Sequence, residues 1–149
     1  MWWTSKKEGS EIKGITAALT PFVTDTLAKL EDGDLQEATR KRRYAIYYLY
    51  GAVLYLAEYD GLPKDTKQTL VEDILGEHMD VGSPEIEKLP VTKDHADGAK
   101  ETAFMIEGAS ALRLWITTGE RVSTAAYLKE LLDNPDVCAV DSEPEGEKN

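Results

Sequence analysis

Four carboxylates are the residues of this chain best placed to do chemistry. Glu77 and Asp80 stand three residues apart, as do Asp94 and Asp97, and the two pairs flank a connector bracketed by Pro84 and Pro90. Carboxylates at i and i+3 share one helix face, and such oxygen ligands suit Mg²⁺. Glu72, Asp73 and Glu101 lie one or two turns away, and His78 and His95 each sit beside an acid pair. Imidazole joined to carboxylate would favour a transition metal, although no Glu-x-x-His pair of the di-iron bundle type occurs. The plainer reading is solvated acids near helix ends, with His78 a hydrogen-bonded, partly buried histidine on an apolar stripe. Nucleophilic chemistry has little to work with. Cys138 has no histidine near it in sequence, no serine stands in a nucleophile elbow, and the scattered glycines form no phosphate-binding loop.

A second group of residues is suited to contact rather than catalysis. Six of the seven tyrosines fall between Tyr44 and Tyr59, directly after the run Arg40-Lys41-Arg42-Arg43. Tyrosines at helical spacing form cores and interfaces, with hydroxyls reaching water or backbone. The basic run could bind phosphate while the tyrosines stack bases. However, it spans only four residues of a strongly acidic chain and lies in the first half of its helix, where cations gain nothing from the dipole. A docking role follows, in which the run meets residues 72–87, the acidic tail or a partner; alternatively the arginine stems cover apolar surface while their heads stay wet. Trp2 and Trp3 are expected to fold onto the body or insert into a neighbouring chain. The contact residues predicted on these grounds are Trp2, Trp3, Arg40, Arg42, Arg43, Tyr44, Tyr47 and Tyr48.

The elements that must position these groups are all helical. Ile12, Ile15, Leu19, Phe22, Val23, Leu27 and Leu30 recur at spacings of three and four, giving a helix over about 10–30. Within it Thr20-Pro21 marks a kink or a fresh start. Asp34 and Glu37 have capping-box spacing and predict a second helix from Asp34 to Tyr59, about 39 Å long, with Tyr44, Tyr48, Tyr55 and Tyr59 near one stripe. The tyrosine segment 44–59 contains one acid, Glu58, which predicts burial around most of its circumference. A third helix is expected over 64–79. A fourth, over 92–118, is rich in small residues, and its glycines, Gly98 and Gly108, are explained if it packs closely on the tyrosine helix. Met105, Ala109, Leu112, Trp115 and Ile116 supply its apolar body. Ser123 is the expected N-cap of a fifth helix, with Val122 and Tyr127 as a hydrophobic staple.

The paired acids loosely resemble those of the all-α nucleoside-triphosphate pyrophosphohydrolases, over about 30 residues. That family places two adjacent acids, two spacers and a further acid on one helix; Glu72-Asp73-Ile74-Leu75-Gly76-Glu77 has three spacers. The resemblance implies a Mg²⁺-dependent nucleotide pyrophosphohydrolase built on residues 72–101, and the register difference leaves no residue role to transfer.

The chain of 149 residues is long enough for one buried core, and its formal charge of −11 disfavours nucleic acid and anionic membrane. Residues 60–90 hold eight acids against three bases, and the last twelve hold four against one. A single cysteine excludes an intrachain disulfide and suits a reducing cytoplasm. No stretch reaches the length of a membrane span, and the first residues lack the order of a secretory signal. The expectation is an all-α bundle of about five helices over residues 1–138, with a long central tyrosine-rich helix and a flexible acidic tail over 139–149. The function expected is that of a non-enzymatic interaction or assembly protein with no cofactor, binding partner subunits or itself. The alternatives are the pyrophosphohydrolase and an acidic nucleic-acid mimic that inhibits a DNA-binding protein.

Overall fold

The computed structural model describes residues 2–36, 39–82, 86 and 99–134, with 2–12, 32 and 99 as backbone alone. Five α-helices and no strand occur among them: α1 (Trp2–Ala28), α2 (Arg40–Tyr59), α3 (Lys64–Met79), α4 (Ala99–Thr118) and α5 (Arg121–Asp133), with a 3₁₀ turn over Asp32–Leu35. The expected tail over 139–149 and Cys138 lie outside the described residues.

The tyrosine helix is the axis. Fourteen of the 20 residues of α2 are buried, because α1, α3, α4 and α5 all touch it. Its closest neighbour is α4, and two glycines make that approach. A Cβ on Gly51 would collide with the backbone of Met105, and one on Gly108 with the carbonyl of Tyr48. Helix axes usually stay about 8–10 Å apart, and bare glycine faces let two backbones come nearer. On the N-terminal side of this crossing, Tyr44 stacks on Phe104 at 4.8 Å and Arg43 reaches Glu101 at 2.8 Å. Both pairs lie before the crossing in both helices, so α2 and α4 run parallel. Gly98, expected to share this role, lies outside the described residues.

Short connections set the other directions. At the end of α2, Gly61 takes φ 69°; Leu62 N–H donates to the Ala57 carbonyl and Gly61 N–H to that of Glu58. This is a Schellman stop, and it turns the chain antiparallel into α3. Gly119, at φ 73°, likewise reverses α4 into α5. α1 runs antiparallel to α2 and buries Ile15, Leu19, Phe22, Val23 and Thr26 on one face. Phe22 meets Trp115 edge-on at 5.4 Å.

Four sequence expectations are corrected. α1 begins at Trp2 rather than near Ser10 and passes unbroken through Pro21, which lies on the exposed face; Thr20 Oγ1 donates back to the Thr16 carbonyl at 2.7 Å. α2 starts at Arg40, not Asp34. Asp34 instead closes a capping box on Glu31, while Thr39 caps α2 by accepting from Arg42 N–H at 3.2 Å. α5 starts at Arg121 with Glu120 as N-cap, because Gly119 completes the reversal before Ser123 is reached, and exposed Val122 forms no staple. Tyr59 and Ile116 sit on the expected stripes but emerge from them, at 77% and 50% exposure, because they lie at helix ends beyond the neighbouring helices.

The N-terminal end of α2 is closed by ions. Asp34, buried, accepts from Glu31 N–H at 2.9 Å and from Lys129 Nζ at 2.8 Å, with Lys41 at 3.4 Å. Asp133 joins through Lys129 at 3.2 Å and Lys41 at 3.7 Å. Burial opposes ionisation of Asp34, but the Glu31 bond and the two lysines together outweigh it and hold the carboxyl below its usual value.

The glycine crossing and the ionic end can each be tested by substitution. Gly51→Ala and Gly108→Ala should each lower stability by about 1–3 kcal/mol or more, because the new methyl meets backbone that has nowhere to move. Gly14→Ala, where nothing lies within 4 Å of the new methyl, should raise it by about 0.5–1 kcal/mol; urea melts followed by circular dichroism read both signs. Asp34→Asn should cost about 1.5–3 kcal/mol at neutral pH. The folded-state pKa of Asp34 is depressed, so its contribution is fully present above the unfolded value of 3.8 and is lost as pH falls through the lower folded value. The gap between wild type and variant should therefore close in acid melts and stay constant above about pH 5.

Candidate functional site

The basic run is used within the chain. Arg42 is buried and its Nη2 donates to the Met79 carbonyl at 3.3 Å, at the C-terminal end of α3. Arg43 pairs with Glu101 and lies 5.4 Å over the Tyr47 ring. Lys41 joins the Asp34 cluster, and Arg40 is half-buried. Among the described residues, the acids that answer this run are Asp34, Glu101 and Asp133, together with a helix-terminal carbonyl; Glu85 and Glu87 of the expected 72–87 segment lie outside the described residues. Tyr44, Tyr47 and Tyr48 are likewise core residues. A contact surface built from Arg42 and these three tyrosines is therefore not on the outside of the folded chain: neighbouring helices enclose them. Tyr48 is fully buried, and its hydroxyl has no hydrogen-bond partner among the described residues. Burial first, then nearby Tyr127 and Glu107, push its ionisation far above the usual phenol range. The side chains of Trp2 and Trp3 lie outside the described residues.

The candidate metal ligands divide in the same way. Glu77 and Asp80 are exposed near the end of α3, and His78 is half-buried. Asp94, Asp97 and His95 lie outside the described residues. No group of three His, Cys, Asp or Glu side chains is arranged to hold a metal among the described residues. Asp80 has a visible structural duty: it stops α3 in the left-handed conformation, φ 57° and ψ 40°, with its N–H bonded to the Leu75 carbonyl.

Opposite the ionic cluster, the bundle has a different character. The C-terminal ends of α2 and α4 and the start of α5 gather there. Four of the five large apolar side chains exposed among the described residues belong to this end: Tyr59 and Val122 at 77%, Leu114 at 53% and Ile116 at 50%. Arg121 lies 4.9 Å over the Trp115 ring, so a cation shields part of the aromatic core while the aliphatic residues stay open.

A groove of about 210 Å³ runs from this end between α4 and α5. Ala111 and Leu114 give it an apolar floor, Glu107 and Glu120 give it two carboxylates, and no Lys or Arg among the described residues lines it. Its hydroxyls are largely bonded within the chain. Tyr127 donates to Glu107 Oε1 at 2.7 Å, a bond that, aided by burial, pushes the phenol pKa up to about 12. Thr118 and Thr124 donate to the Leu114 and Glu120 carbonyls. The arrangement suits an apolar group carrying a positive charge. Leu114, Glu107, Glu120 and Val122 are not among the contact residues predicted from sequence. The signal that points to them is a helix pair reversing at Thr118-Gly119 with apolar residues close on both sides.

Asp80→Gly tests the structural duty against the metal reading. Glycine adopts a left-handed backbone without strain, so the variant should be more stable by roughly 0.5–1 kcal/mol, with Mg²⁺ leaving the melting temperature of both proteins unchanged. A Mg²⁺-induced rise in wild type that vanishes in the variant would make Asp80 a ligand instead.

No helix among the described residues is long and apolar enough to cross a membrane. No protein-family model, no curated protein and no solved structure matches the chain.

Proposed function

We propose that this chain is a non-enzymatic assembly protein that associates with protein subunits, copies of itself first, through the open end of its bundle. The observation that carries this reading is the concentration of exposed apolar residues there. Single exposed hydrophobics are ordinary on a protein surface, whereas several brought to one place mark a contact site. Tyr59, Leu114, Ile116 and Val122 come from three helices, and only the fold brings them to one end. Of the residues first expected to make the contact, Arg42, Tyr44, Tyr47 and Tyr48 are buried among neighbouring helices.

Light scattering on sized fractions tests the reading. Wild-type protein should show a mass above that of the monomer and rising with concentration. Tyr59→Lys combined with Val122→Lys should reduce it to monomer while the melting temperature stays within a few degrees, since both side chains are largely solvated. A wild type that remains monomeric at every concentration would remove self-association.

A further inference from the structure

We infer that the groove between α4 and α5 binds a linear aliphatic diamine, with one ammonium at Glu107, the other at Glu120 and the methylene chain lying over Ala111 and Leu114. The inference does not rest on self-association.

Layout is the first argument. The lining positions recur at spacings of three and four: Glu107, Ala111 and Leu114 on α4, and Glu120, Ser123 and Tyr127 on α5. Each set is one stripe of its helix, so the groove is a straight trough along the helix pair. The Glu107 carboxylate is fixed beside Tyr127 by their 2.7 Å bond. Glu120, the N-cap of α5, stands seven residues before Tyr127, about 10 Å at the helical rise. The trough therefore has a carboxylate at each end and an apolar floor between them. Its volume of about 210 Å³ is below the ~300–1,000 Å³ of a drug-sized site and suits a thin chain rather than a ring system.

Charge is the second. No Lys or Arg among the described residues lines the groove. Glu130, one turn beyond Tyr127, adds a third carboxylate near enough to push the Tyr127 phenol up further. An anion is repelled here, and a neutral chain would take water from two carboxylates and give nothing back. A single metal ion needs ligands converging at about 2–2.6 Å, which two carboxylates at opposite ends of a trough cannot supply. An ammonium has three donors and no acceptor, so two of them joined by methylenes match both ends and the floor at once.

The third argument is the Tyr48 hydroxyl behind the Glu107 end. Tyr48 is fully buried, and its Oη has no hydrogen-bond partner among the described residues. Tyr127 and Glu107, which line the groove, both act on its ionisation. A buried hydroxyl left without a partner is costly, and here it borders a pair that has its own bond. The Tyr127 hydrogen is already given to Glu107, so an ammonium seated at this end meets lone pairs on Glu107 and Tyr127, with that of Tyr48 behind them.

Calorimetric titration of the full chain with octamethylenediamine tests this, because its two ammoniums stand about as far apart as the two carboxylates. Octylamine, of equal chain length, is the one-ended control. The diamine should bind about tenfold more tightly than octylamine or better. Glu120→Gln, at an exposed position, should abolish that advantage, and so should Glu107→Gln, which keeps an acceptor for Tyr127. Tyr48→Phe should weaken the diamine while leaving the melting temperature of the free protein unchanged or higher. Glu77→Gln removes an equal charge from exposed α3 surface and should bind as wild type does. Equal affinity for the two amines, or binding of neither, would overturn the site. An equal loss in Glu77→Gln and Glu120→Gln would also overturn it, since attraction to the net charge alone would then account for binding.

Discussion

Where Gly51 lies on Met105 and Gly108 lies on the Tyr48 carbonyl, two backbones are in contact, and most other features of the molecule accommodate that crossing. Large side chains cannot occupy it, so they move to its flanks: Tyr44 stacks on Phe104 on one side, and Phe22 meets Trp115 on another. A helix so closely held and approached by four neighbours has no solvent face left along most of its length. Its residues are apolar or aromatic nearly all round for that reason. The parallel direction of α2 and α4 has a topological cost, since a hairpin cannot join parallel helices. α3 must return the chain to the start of α2 before α4 can begin.

That return explains a basic run at the wrong end of a helix. Arg40-Lys41-Arg42-Arg43 occupies the first turn of α2, where the macrodipole is positive and disfavours cations. Tertiary structure reverses this local preference. The C-terminal end of α3, with its negative dipole end, arrives there and accepts from Arg42 through the Met79 carbonyl. Glu101 arrives at the start of α4, Asp133 at the end of α5, and Asp34 with the 3₁₀ turn. The energy of each ion pair depends on how far it is withdrawn from water, and Asp34, the most buried, is also bonded by a backbone N–H. One end of the bundle is thus a closed electrostatic joint between α2 and four other elements.

Legibility in the sequence follows the range of the interaction. The apolar periods of α1 and α3 are local, and they locate those helices. The small residues of α4 point to its close contact with the tyrosine helix, since glycine inside a helix is hard to explain otherwise. Caps are harder. Glu31/Asp34 and Asp34/Glu37 have the same spacing, and only the structure shows that the first pair closes the box while Thr39 takes over the helix start. Ser123 is by residue type a better cap than Glu120, but the position of a reversal is set by the residue with positive φ, here Gly119. Periodicity places Tyr59 and Ile116 correctly on their stripes and cannot say where the neighbouring helices stop. The groove is least legible: Glu107 and Glu120 are thirteen residues apart and meet only because α4 reverses into α5.

The acidity of the chain sharpens the contrast between the two ends. Two copies each carrying a formal charge of −11 repel over most orientations. Several bases are already engaged inside the fold: Lys41, Arg42 and Arg43 at the closed end, Lys67 with Glu58, Arg121 over Trp115, and Lys129 with Asp34. An approach that escapes the repulsion must bring together apolar surface. The open end, with Tyr59, Leu114, Ile116 and Val122 exposed, supplies such surface. Under the proposed self-association, net charge would act as a filter on orientation, opposing side-by-side contact more than contact through the open end. Added salt relieves the general repulsion while leaving apolar contact in place, so association through the open end should strengthen as ionic strength rises.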